Sequence, residues 1–381
     1  MINKNRLIKL TQNLIRIDST NPPGLEYECS KFIEKDMKSL GLEVKTVSYA
    51  NKRPNVIATF KGTWPRAKAK KEAILLTPHF DTVPTGKGWT FKPFGGEIHE
   101  GRIYGRGASD DKGNTAACME VIRSFVEDGV KLKKDVILAA TVDEESGSHI
   151  GIIPLLDKKV LKPRFALVVD STEYDAIIVQ KGVIFLRVQI FGKKAHSAYN
   201  WRGVSAVEIA ARCINNLTKL KFPYKKHKLL HPPTINMGVI HGGDKVNMVA
   251  DYCEFTVDHR YCPGTNYKEP LKMITQAIAK EAKKFKISID DLQMPYEIKE
   301  DHPYVSKFME INKKEKTPAK VKGSEGATVI TFFQKHGIPA FATGWGAHGT
   351  LHVNDEYIRI DALYKGTKVL EKYIKEYDNL E

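Results

Sequence analysis

Two histidines and a series of carboxylates stand where apolar runs of this chain stop. LLTPHFDTVP (75–84) closes on His79 and Asp81, and YGRGASDDKGN (104–114) carries Asp110 and Asp111 in a glycine-rich turn. TVDEESGS (141–148) carries Glu144 and Glu145, FALVVD (165–170) ends on Asp170, and GTLHVNDEYI (349–358) supplies His352. Imidazole and carboxylate without thiolate suit a borderline metal such as zinc, with cobalt or manganese as alternatives. The five cysteines, Cys29, Cys118, Cys213, Cys253 and Cys262, are scattered, odd in number and form no CxxC pair. They define neither a disulfide framework nor a thiolate metal site.

Two cations about 3.5 to 4 Å apart need a carboxylate between them, because the bridge offsets their repulsion. Asp110, on a turn flanked by glycines, is the candidate bridge. Asp81 follows His79 by two residues of extended chain, placed to accept the other ring N–H and fix its tautomer. Glu144 and Glu145 are neighbours that can diverge: one ligates while the other takes a proton from metal-bound water. Asp111 reads as structural, holding the turn or capping the helix that follows.

The elements that must position these groups alternate in type. Strand-like runs recur as NVIATF (55–60), AILLT (73–77), VILAATV (136–142), FALVVD (165–170) and IPAFAT (338–343), with helical patterns between them, as over 114–127. This predicts an α/β domain with a mostly parallel sheet and helices on both faces. Such sheets gather ligands beyond the carboxyl ends of their strands, where the clusters fall. From Gly182 the order becomes strand, helix, two strands, helix, then the short strand KISID, the order of a ferredoxin-like α+β unit. The expected organisation is a first domain over 1–180, an inserted domain over 181–294, and a return to the first over 295–381.

At 381 residues, with 42% hydrophobic and 28% charged residues, the composition is that of a globular chain. No apolar run reaches the roughly 18 to 20 residues that span a bilayer. The opening MINKNRLIKLTQNLIRIDST spaces Leu7, Leu10, Leu14 and Ile17 as one helix face and lacks a cleavage site, which predicts an amphipathic helix and a cytoplasmic protein with no membrane partner. The charge of +15 sits largely in runs such as RAKAKKE, KLKK and YKKHK, expected as solvated edges. No basic stripe interleaved with aromatics points to nucleic acid.

Together these motifs resemble the dinuclear zinc amidohydrolases that include acetylornithine deacetylase, succinyl-diaminopimelate desuccinylase, aminoacylase and glutamate carboxypeptidase. The likeness runs from IDSTNPPG (17–24) to HVNDEYI, and HFDTVP, GRGASDDKG and DEESGS in this order carry it. It implies a zinc-peptidase-like catalytic domain with an inserted lid and dimerisation domain. It also implies two zinc ions per subunit: His79 and Asp170 on one, Glu145 and His352 on the other, Asp110 between them. Glu144 is then the general base, with Asp81 behind His79. Of the two histidines in GWGAHGTLHVNDE, His352 is chosen over His348 because it precedes NDEYI. FGKKAHSA resembles the lid motif whose histidine, His196 here, reaches the partner subunit's site and stabilises an oxyanion. GGDKVNMVADYCEFTVDHR resembles the segment whose Asn247 and Arg260 help hold a substrate carboxylate. The resemblance implies a homodimer that cleaves the amide of a small N-acyl amino acid, or alternatively a carboxypeptidase or dipeptidase.

Overall fold

The computed structural model describes residues 1–170, 173–347 and 349–380. The chain divides into two compact units: Met1–Ile178, Ile298–Lys322 and Phe332–Glu381 form one, and Val179–Glu297 with Gly323–Thr331 the other. Compared with the division expected from sequence, the short return segment Gly323–Thr331 joins the inserted unit.

The first unit is built on a mixed sheet. Strands Val136–Ala140, Ile74–Leu76, Phe165–Val169 and Ala340–Thr343 lie side by side in parallel, and Pro54–Phe60 and Glu43–Ser48 extend one side antiparallel. All four parallel strands are buried at every residue, which requires cover on both faces and explains why they read as unbroken apolar runs. The opening helix, Lys4–Arg16, is capped by the Asn3 side chain, which accepts the Arg6 N–H at 3.1 Å. Its buried face is Leu7, Leu10, Leu14 and Ile15. Ile17, expected on that face, instead ends the helix in extended backbone. A small three-stranded sheet orders Tyr357–Arg359, Arg102–Tyr104 and Glu97–His99.

The second unit is an antiparallel sheet in the order Thr234–Asn236, Tyr252–Tyr261, Gly182–Phe191, Phe285–Gln293, with Ile240–Gly242 also on Tyr252–Tyr261. Helices Ala206–Leu217 and Lys268–Ala279 complete the ferredoxin-like order. Tyr252–Tyr261 alternates buried and partly exposed residues along most of its length. Its Cys253, Phe255, Val257 and Tyr261 pack with Ile209, Cys213, Ile274 and Ile278 of the helices. The last strand is nine residues rather than the five of KISID, because Leu292 also packs onto this core. Lys134, in a run expected to be solvated, is buried, with its Nζ on the Tyr377 and Leu380 carbonyls.

Candidate metal centre

His79 follows strand Ile74–Leu76, and its ring is buried. Its Nε2 lies 3.0 Å from Asp110 Oδ1, and its Nδ1 lies 3.2 Å from the Asp81 carbonyl and 3.5 Å from Asp81 Oδ1. His352 Nε2 lies 3.1 Å from Asp110 Oδ2 and 3.2 Å from Glu145 Oε2. Ligand atoms of His79, Asp110 and Glu145 all fall within 4.8 Å of one another. The Glu145 Oε1 atom is buried and finds no hydrogen-bond partner among the described residues. A buried carboxylate oxygen left bare is costly unless a cation takes it. The donor set therefore fits a divalent ion of the zinc class.

The electrostatics agree. Hydrogen bonds to Asp110 and Glu145 raise His352 to about 10. Burial opposes protonation of His79, yet Asp110 and Asp81 hold its pKa well above the ordinary value. Asp110 is lowered despite its burial by His352 and His79. Glu144 is pushed well up by burial, with Asp170, Glu145 and Asp110 adding to the shift and His79 opposing it. These carboxylates are short of positive charge, which bound cations supply.

Local backbone sets the geometry. After Val136–Ala140 the chain turns through Asp143 in left-handed backbone at φ 67. Asp143 is tied down by Arg53 at 3.2 Å and by the Ile150 N–H at 3.1 Å. The short 3-10 turn Glu144–Ser146 follows, and Asp81 accepts both the Glu144 and the Glu145 N–H, at 3.1 and 3.2 Å. Asp81 thus braces the paired glutamates as well as His79, a double role that its spacing did not disclose.

Asp111 occupies the N-cap position of helix Lys112–Glu127, but its side chain makes no cap. It accepts the His79 N–H at 3.1 Å and an Asn114 N–H at 2.5 Å, a correction to the capping role. The peptide between Asp110 and Asp111 is cis. Asp170 ends strand Phe165–Val169, its N–H on the Thr343 carbonyl at 2.8 Å, and its charge raises both Glu144 and Asp111. A Cβ on Gly344 would stand 1.7 Å from the Asp170 carbonyl oxygen, so only glycine fits there. His348 lies outside the described residues.

The remaining expected residues belong to the second unit. His196 is exposed on the short strand Ala195–His196, opposite Met248, and its Nδ1 accepts the Ala198 N–H at 3.1 Å. The neighbouring Ser197 N–H meets the Asn247 carbonyl at 3.1 Å. Arg260 sits near the far end of Tyr252–Tyr261, with its guanidinium forked onto Asp258 at 2.7 and 2.9 Å. The eight steps of strand from Tyr252 to Arg260 span roughly 27 Å at about 3.4 Å each. Antiparallel pairing continues the other way, through Gly192 on Asp251 to His196 opposite Met248. Asn247 and Arg260 of one chain therefore lie at opposite ends of this run.

Two supports escaped the sequence. Glu356 is buried and takes two donors on each oxygen: Oε1 accepts Ser109 N–H at 2.9 Å and Asp110 N–H at 3.0 Å, while Oε2 accepts Arg106 at 2.8 Å and Gly107 N–H at 3.1 Å. Burial and the Asp110 charge raise it to about 7. Asn21 donates to Asp81 at 2.9 Å and to Asp143 at 3.4 Å. NDEYI and IDSTNPPG contained both residues, but only long-range pairing reveals what they hold.

The fold and a cluster able to hold a metal are those of a metal-dependent hydrolase, and the family match bears out that class. The family model Peptidase family M20/M25/M40 matches residues 75–376, and the chain belongs to that family. It is 28% identical to the acetylornithine deacetylase of Vibrio atlanticus (strain LGP32), over 97% of this chain and 98% of that one. Among solved structures, a tripeptidase from Staphylococcus aureus matches at TM-score 0.83 with 23% identity, covering both chains fully at 100%. An M20 family metallo-carboxypeptidase from Sulfolobus solfataricus matches at TM-score 0.82 with 19% identity, over 98% of this chain and 99% of that one. At these identities the two structures speak for the fold.

Proposed function

We propose that the protein is a dinuclear zinc enzyme that hydrolyses the amide of an N-acyl amino acid. The observation that carries the reading is Asp110, whose two oxygens face the ring nitrogens of two different histidines. A carboxylate so placed would bridge two ions: His79 and Asp170 would hold one, Glu145 and His352 the other, and cobalt or manganese could replace zinc in such a donor set. Bound metal lowers the pKa of a coordinated water toward neutrality and polarises an amide carbonyl.

The chain's own groups handle the proton. Glu144, kept beside the ligand Glu145 by the Asp81 brace, takes a proton from the attacking water and passes it to the leaving amine. Asp81 fixes the His79 ring from behind. His196 supplies a donor to the tetrahedral oxyanion from the partner subunit.

A homodimer is part of the reading, and two features of the second unit support it. Trp201, Val204, Val207, Val246 and Met248 form an exposed apolar band along a groove of about 920 Å³, with Val246 98% exposed. In addition, the roughly 27 Å of strand beyond which Asn247 lies means that Asn247 and Arg260 grip one carboxylate only when they come from different chains. Arg260 would exchange its Asp258 partner for the substrate, whose planar carboxylate suits the same fork.

The acylated amino acid is favoured by the 28% identity to an acetylornithine deacetylase over nearly the full chain. A dipeptidase or carboxypeptidase is the rival, since the family description is that of a peptidase. Metal content by elemental analysis, with free-amine release from acylated amino acids and dipeptides compared in one panel, tests the reading. Two ions and deacylation support it, while peptide cleavage alone selects the rival.

A further inference from the structure

We infer that Glu356, with Arg106, is a positioning residue that fixes the distance between Asp110 and His352 and so sets how tightly the paired metal site closes. The inference rests on the reading of Asp110 and His352 as ligands. His352 has left-handed backbone at φ 61, and Asp355 does so at φ 54. A side chain with a Cβ persists there only where its surroundings enforce it. The three residues after Val353 are anchored on two different sides. Asn354 donates to the Lys87 carbonyl at 2.7 Å, Asp355 accepts the Thr90 and Phe91 N–H groups at 2.8 and 3.1 Å, and Glu356 takes the Asp110 turn.

Arg106 closes the loop of constraints from the other side. It pairs with Glu356 at 2.8 Å and donates to the Val353 carbonyl, next to His352, at 3.1 Å. Ser109 adds a tie, its hydroxyl on the Tyr357 carbonyl at 2.7 Å. The turn bearing one ligand and the loop bearing the other are thus held on the buried Glu356 carboxylate, which takes four donors from the turn, with the Arg106 and Ser109 contacts as further ties. Asn354 and Asp355, by contrast, hold only the 87–91 loop. Glu356 touches no substrate or reacting atom in this reading, so its effect passes through the ligands.

The test compares E356Q, E356D, D355N and D110A with wild type. Each is stripped of metal, checked for a cooperative fold, then titrated with zinc against a competing chelator and with cobalt by visible absorption. E356Q replaces one acceptor oxygen by a donor NH2, so either the Ser109 and Asp110 amides or the Arg106 and Gly107 donors lose their partner. The expected result is about a 10- to 100-fold weaker second ion, an altered cobalt spectrum and a fall in kcat with KM little changed. D355N keeps wild-type affinity. E356D retains the charge but withdraws it by one methylene, and reports the same loss should the glutamine variant not fold. Wild-type affinity in folded E356Q or E356D alongside lost metal in D110A overturns the inference alone. Wild-type affinity in D110A overturns the site reading and the inference with it.

Discussion

His352 Nε2 stands 3.1 Å from Asp110 Oδ2, on the opposite carboxylate oxygen from the one that His79 faces at 3.0 Å. One turn residue thereby joins two histidines that are far apart in sequence. If Asp110 bridges two ions, Asp110→Asn should weaken both, because an amide carries no charge to offset their repulsion. Elemental analysis after dialysis should find fewer than two ions per chain, and full occupancy would remove Asp110 from the site.

Glu144 is expected to act on protons rather than on metal. Glu144→Ala should lower turnover by at least about 10²-fold while metal content stays at the wild-type level. Turnover near wild type would assign the proton transfer elsewhere, and lost metal would make Glu144 a ligand.

The close approach at Gly344 ties the last parallel strand to Asp170. Because a Cβ there would overlap the Asp170 carbonyl oxygen at 1.7 Å, Gly344→Ala must shift the strand end that bears Asp170. An overpacked position of this kind costs about 1 to 3 kcal/mol. The variant should unfold at lower denaturant concentration and bind metal more weakly. A variant with unchanged midpoint and affinity would show that the contact relaxes freely.

His259 gives the second unit its own pH dependence. Its ring is fully buried at 0% exposure between Phe222 and Tyr261, and neither nitrogen has a hydrogen-bond partner among the described residues. Burial lowers its pKa to about 4, with the Thr234 backbone and the Asp258 charge opposing the shift. The unfolded chain, with an ordinary histidine near 6.5, takes up a proton first as pH falls. Stability is therefore complete above about pH 6.5 and is lost progressively down to about pH 4, by about 3 kcal/mol from this group. His259→Leu should flatten that part of a denaturation profile measured at pH 7, 6, 5 and 4. An unchanged slope would place the titration on other groups.

The sequence exposed the parallel strands because burial on both faces leaves a local trace, an unbroken apolar run such as FALVVD. The clusters at His79, Glu144 and Asp170 showed because each follows such a run. The Glu356 brace left no trace of this kind. Its partners Arg106, Gly107, Ser109 and Asp110 lie some 250 residues away, and a glutamate in NDEYI looks like any loop carboxylate. Lys134 was misread for the same reason, since its burial depends on the Tyr377 and Leu380 carbonyls at the other end of the chain.

The most direct test is free-amine release by zinc-loaded protein from N-acetylornithine, N-succinyl-diaminopimelate, simple N-acyl amino acids and dipeptides, with Glu144→Ala as control. The account predicts hydrolysis of one or more acylated amino acids, abolished in the control, with dipeptides left intact. Cleavage of dipeptides alone, or release that persists in Glu144→Ala, would contradict it.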